Sequence, residues 1–229
     1  MKRLDVALAS IGALSIASIF VFHENPFARH VVCAYTGICH APLADAKAWY
    51  KIFYDLGVGS LVTLGFYILV VRLPEYQRRH RLKRGLEKQY RAFRHDCIAT
   101  MLEVADGGYC ADLPDKLMEQ DKFREYFDNT RWDAFSNKLN EKALEELRTS
   151  MEIFREELIF VLNNTDIPKD QPFEFLKRLS RLIYSIKSVT VGYDESKPLE
   201  IFLWDVFAGF NLVTGYRKDD IVKKMISAI

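Results

Sequence analysis

The residues of this chain best suited to chemistry are few and scattered. Residues 30–40 read HVVCAYTGICH, which gathers His30, Cys33, Cys39 and His40 within eleven positions. Such side chains suit zinc, but the tight C-x₂₋₄-C pairing of zinc sites is missing. A disulfide between Cys33 and Cys39 is the favoured reading, with Gly37 turning the chain, because the topology below places this loop in an oxidising compartment. A second group is RHDC at 94–97, where His95 and Asp96 form an adjacent pair of the kind metal phosphohydrolases use. Those enzymes need further His and Asp ligands, and His80 is the only other histidine after residue 40. Cys97 falls on an apolar helix face and reads as core. Asp205, beside Trp204, is either a carboxylate of raised pKa or a partnered structural acid. No P-loop, G-x-G-x-x-G, G-x-S-x-G or H-E-x-x-H occurs. The sequence therefore names no catalytic residue, no metal ligand set and no cofactor.

The elements that would carry these residues divide sharply by charge. Residues 1–71 hold five basic and four acidic residues, residues 72–96 nine and three, and residues 97–229 eighteen and twenty-four. A greasy third, a basic collar and an acidic body follow one another. Val6–Phe22, VALASIGALSIASIFVF, has no charge and predicts a membrane helix; it is longer than a signal-peptide core, and no small-x-small cleavage site follows it. Phe53–Val71 predicts a second, entered through Trp49, Tyr50, Phe53 and Tyr54 as an interfacial aromatic belt. Small residues suit close packing in lipid: Ala9, Ala13 and Ala17 on the first helix, Gly57, Gly59 and Gly65 on the second. The two helices are expected to pack on each other or on copies of themselves.

The collar sets the topology. Lys and Arg near membrane ends stay cytoplasmic. Both termini are therefore expected inside, with 1–73 a transmembrane hairpin and 23–52 its external loop. Arg78, Arg79, Arg81, Lys83, Arg84 and Lys88 are expected to meet anionic lipid heads or a partner, at about 1 kcal/mol per residue for lipid. Direct binding of nucleic acid is disfavoured, since the rest of the cytoplasmic body is acidic and repels phosphate.

Residues 74–229 predict an all-α body. A long helix is expected over 75–105, kinked near Pro74, with Leu82, Leu86, Phe93, Cys97, Met101 and Val104 on one face and DGGYCADLP as its stop. Helices are expected near 115–128, 131–140, 141–162 and 173–191. Leu144, Leu147, Met151, Phe154, Leu158 and Val161 recur at steps of three and four, a seam that predicts packing inside the bundle. Residues 199–213 are apolar almost all round, so this segment is a buried central helix or a face covered by a partner, with Trp204, Asp205, Phe207 and Phe210 as the residues at issue. A short amphipathic helix closes the chain.

The layout of VALASIGALSIASIFVF, LGVGSLVTLGFYILVV and the collar resembles the small two-transmembrane effectors of bacterial anti-phage systems, including those encoded with retrons. The resemblance is one of architecture over roughly the first 95 residues, and no functional residues carry over. It implies a non-enzymatic inner-membrane protein that a protein or nucleoprotein partner holds inactive and that disrupts the bilayer on release. Neither helix offers a polar stripe beyond Ser10, Ser15, Ser18, Ser60 and Thr63, so a leak would come from oligomerisation or packing defects. A membrane-anchored scaffold of an envelope complex and a membrane-tethered enzyme are the alternatives.

Overall fold

The computed structural model describes residues 2–22, 45–165, 167, 169–192, 194–210 and 215–229, and every regular element among them is helical. The chain divides into two compact units, Met1–Arg78 and Arg79–Ile229. Cys33, Cys39, His30 and His40 lie outside the described residues, as does most of the expected external loop.

In the first unit, α1 (Lys2–Phe22) and α2 (Asp45–Tyr67) pack side by side. Their direction is antiparallel: Gly12 sits opposite Leu64, and Gly57 opposite Ser15, Ser18 and Ile19. Gly57 is where the backbones come closest. A Cβ there would lie 3.1 Å from Ile19 Cγ1 and 3.2 Å from the Ser15 carbonyl oxygen. Ser18 Oγ donates across the pair to the Phe53 carbonyl at 2.9 Å. The alanine ridge plays no part in this contact, since Ala9, Ala13 and Ala17 are exposed. Phase is the reason: Ala13 follows Gly12 by one residue and is therefore turned about 100° round the helix from it.

A π turn, Ile68–Arg72, follows α2, closed by the Leu73 amide donating to the Ile68 carbonyl. Pro74 explains it. Proline has no N–H for the carbonyl four residues back and its ring crowds that carbonyl, so a wider turn just before it relieves both. The helical stretch Lys51–Asp106 contains a window long and apolar enough to cross a membrane, of which only 6% is buried. Among the described residues the apolar stretch of α1, Val6–Ile19, is shorter than a span requires. One candidate span thus stands among the described residues, where the sequence leads one to expect two.

The second unit is built on α3 (Leu73–Asp106), whose core face carries Leu86, Tyr90, Phe93, Cys97, Ile98 and Met101. Gly107 ends it with φ +75°, the left-handed conformation that closes helices, while its amide donates to Glu103. The helix expected over 115–128 is two short ones, α4 (Leu113–Lys116) and α5 (Gln120–Tyr126). Glu119 between them is extended, and the Met118 carbonyl, freed by the break, accepts from Arg94 instead. Next come α6 (Asn129–Lys138), α7 (Glu141–Asn164), α8 (Asp170–Ile186), α9 (Lys197–Phe207) and α10 (Ile221–Ser227). Asp128, Asn140 and Asp220 cap α6, α7 and α10 by accepting from the amide three residues on.

All six seam residues of α7 are buried, facing α8 through Leu176, Leu179 and Ile183. α8 begins earlier than expected because Pro172 is tolerated in a first turn. α9 supplies the middle of the core, with Leu199, Leu203 and Phe207 fully buried. It stops at Phe207 rather than 213 because Gly209, at φ +69°, turns the chain. The rings of Phe93 and Phe154 stack at 4.9 Å, and Phe207 lies 5.8 Å from Phe93 and 5.6 Å from Phe123.

Candidate functional site

Helical phase sorts the collar into two faces of α3. Residues 79, 83, 86, 90, 93, 94 and 97 fall on the side turned to the core, and 81, 84, 88 and 91 on the opposite side at steps of 3, 4 and 3. The inward charges are used within the second unit. Arg79 Nε donates to the Ile229 carbonyl at 2.9 Å, and Lys83 Nζ donates to the Ser227 carbonyl. The Ser227 carbonyl is an orphan of the last turn of α10, where cations are favoured by the helix dipole, and Ile229 lies two residues beyond that turn.

Deeper on the same face sits a polar knot. Arg94, 5% exposed, pairs with Asp220 through Nη1 and donates from Nη2 to the Met118 carbonyl at 2.7 Å. Its guanidinium carbon lies 5.4 Å from the Phe207 ring centroid and 5.9 Å from that of Tyr90. The Tyr90 hydroxyl donates to Asp220 Oδ2 at 2.8 Å. Asp220 also accepts the Lys223 amide at 3.0 Å, so one carboxylate joins α3 to the start of α10. Burial, foremost, holds the Tyr90 phenol well above its ordinary pKa, with the Asp220 carboxylate adding to this and Arg94 opposing it. The phenol stays a donor at neutral pH. The carboxylate, guanidinium and phenol are turned on one another, an arrangement that anchors rather than catalyses.

The other sequence-predicted residues are dispersed. His95 Nδ1 lies 3.3 Å from Asp96 Oδ1, both side chains exposed, and no group of three or more metal-ligating side chains occurs among the described residues. Cys97 is fully buried, and burial, with the Asp96 charge, pushes its thiol well above the ordinary value. Cys110 is an exposed free thiol. Phe207 is core, whereas Trp204 is half-buried in an edge-to-face pair with Trp132 at 4.8 Å, and Phe210 meets Tyr216 at 5.2 Å. Asp205 is half-buried, and its carboxyl is raised by burial against the lowering effect of Arg217. A cleft of about 280 Å³ is lined by Thr100, Glu103, Lys138, Lys142 and Glu146. Lys138 already donates to the Ala105 carbonyl at 2.7 Å, and Lys142 lies 3.6 Å from Glu146.

Sequence reasoning missed the knot. Its signals were present: Arg94 stands in the apolar phase between Phe93 and Cys97, and Asp220 stands just before an amphipathic helix, where a cap belongs. On the outer face, Arg81, Arg84 and Lys88 are exposed and make no ion pair or hydrogen bond with the described residues. Arg91, the next in the row, meets Asp115 at 3.2 Å. Arg78 is exposed and belongs to the first unit. No family model, curated protein or solved structure matches the chain.

Proposed function

We propose that this protein is a non-enzymatic membrane effector: residues 1–73 form a hairpin seated in the inner membrane, and the helical body receives a signal from a protein or nucleoprotein partner. The observation that carries the membrane seat is exposure. Sixteen of the twenty-four exposed large apolar side chains among the described residues fall in the first unit, including Leu14, Leu56, Val62, Phe66, Leu69 and Val70. That unit buries small residues, Gly12, Ser15 and Gly57, between its helices and turns its large apolar side chains outward. Water does not tolerate so large a contiguous patch, and lipid covers it.

The hydroxyls of the hairpin support assembly over a channel within one chain. Ser10 and Ser15 donate to the Ala7 and Ile11 carbonyls, Thr63 to Gly59, and Ser18 to Phe53. These four donate to backbone, and of the Ser and Thr in the described hairpin only Ser60 makes no hydrogen bond among the described residues; one such hydroxyl is no polar lining, and disruption of the bilayer then comes from several hairpins together. The test is controlled expression of the chain alone, with growth and a membrane-potential dye recorded together. Rapid depolarisation, lost when Gly59 and Gly65 become Leu at equal protein level, is the expected result. Polarised, growing cells with the protein inserted and its partner genes absent would replace this reading with that of a scaffold.

A further inference from the structure

We infer that the outer row Arg81–Arg84–Lys88 alone is an anionic-lipid contact, and that Arg79 and Lys83, of the same collar, are withdrawn from lipid to hold the segment 220–229. This rests on the proposed seating of residues 1–73 in a bilayer. Three observations carry it. The three side chains of the row share one face of α3, exposed and without ion pairs among the described residues, opposite Leu86, Tyr90 and Phe93. Arg79 and Lys83 point the other way, onto the Ile229 and Ser227 carbonyls. The row begins ten residues after Val71, the last of the apolar run, whereas residues 97–229 carry a net charge of −6.

Charge complementarity narrows the occupant. A row of three cations at one-turn spacing fits a plane of separate phosphates, and a polybasic stretch following a membrane segment is drawn to the negative cytoplasmic leaflet. A nucleic-acid backbone would offer phosphates too, but it would bring them against the acidic remainder of the body, which repels them. At the far end Asp115 pairs with Arg91, so the row closes with a neutralised position rather than continuing as a track.

The experiment uses the full chain, purified in a neutral detergent and stripped of lipid. Native mass spectrometry counts retained phosphatidylglycerol against phosphatidylcholine, and the thermal midpoint is read on the same samples. The triple variant R81Q/R84Q/K88Q is expected to lose its preference for phosphatidylglycerol by about fivefold per charge removed, with an unchanged midpoint. The double variant R79Q/K83Q is expected to keep the preference and lose thermal stability. Equal loss of preference in both variants, or in neither, would overturn the assignment. So would a duplex oligonucleotide that displaces phosphatidylglycerol from the native chain and fails to bind the triple variant. Alkaline carbonate extraction of cell membranes reports separately on the bilayer seat: release there refutes the hairpin reading and leaves the lipid count to judge the row.

Discussion

At the scale of single residues, Asp220 decides more than any other charge in the second unit. It answers Arg94 and Tyr90 and caps α10 at once. Removing one member of a buried pair strands the other, which costs about 3–5 kcal/mol. Asp220→Ala is therefore expected to lower stability by that order in chemical denaturation. Arg91→Gln, which breaks an ion pair whose side chains are 73% and 56% exposed, is expected to cost less than about 1 kcal/mol. Asp205 gives a prediction of opposite sign. Its folded pKa lies above the unfolded one, so the folded state holds the proton more tightly. Stability from this group is then present below the unfolded carboxylate pKa and is lost as pH rises through the folded value. Asp205→Asn is expected to raise the thermal midpoint at pH 7 and to lose that advantage near pH 4.

At the scale of elements, the same helical period acts differently in the two units. In α7 it places Leu144 through Val161 on one buried face, and there the aromatic stack dominates. Phe154→Ala, which empties the place beside Phe93, is expected to cost about 3–5 kcal/mol in chemical denaturation. In the hairpin, closeness rather than volume matters. Gly57→Leu meets Ser15 and Ile19 at once, while Gly59 and Gly65 have open space where a Cβ would go. Gly57→Leu alone is expected to lower the thermal midpoint of the detergent-solubilised chain, with Gly59→Leu and Gly65→Leu leaving it unchanged. Combined with the depolarisation assay, this separates the hairpin's own contact from the proposed contacts between hairpins.

At the scale of the whole molecule, the chain is ordered by polarity: an apolar unit, a basic helix and an acidic body. The exposed apolar surface of α2 makes its environment testable. Val62 is 54% exposed on that surface. An Arg near the middle of a spanning helix raises the apparent insertion free energy by about 3 kcal/mol. Val62→Arg is expected to shift the chain from the carbonate-resistant pellet to the soluble or degraded fraction. Ile153→Arg, at an exposed position of α7, is expected to leave the distribution unchanged.

The sequence by itself determined the helices, their buried faces and the polarity order, because each is a local matter of period, hydropathy and charge. The seam of α7, the stop at Gly107 and the buried middle of α9 were legible for that reason. Boundaries were less so: Glu119 breaks the helix expected over 115–128, where the carbonyl of Met118 finds Arg94, a partner 24 residues away in the chain. Only the tertiary structure decided which small residues join α1 to α2, since Gly12 and Ala13 look alike in sequence and differ only in phase toward a neighbour. It alone decided, too, that Arg94 is buried with Asp220, 126 residues distant, and that Arg79 and Lys83 turn inward while Arg81, Arg84 and Lys88 do not. A charge run has one composition but several faces, and the fold chooses among them by what it packs against each.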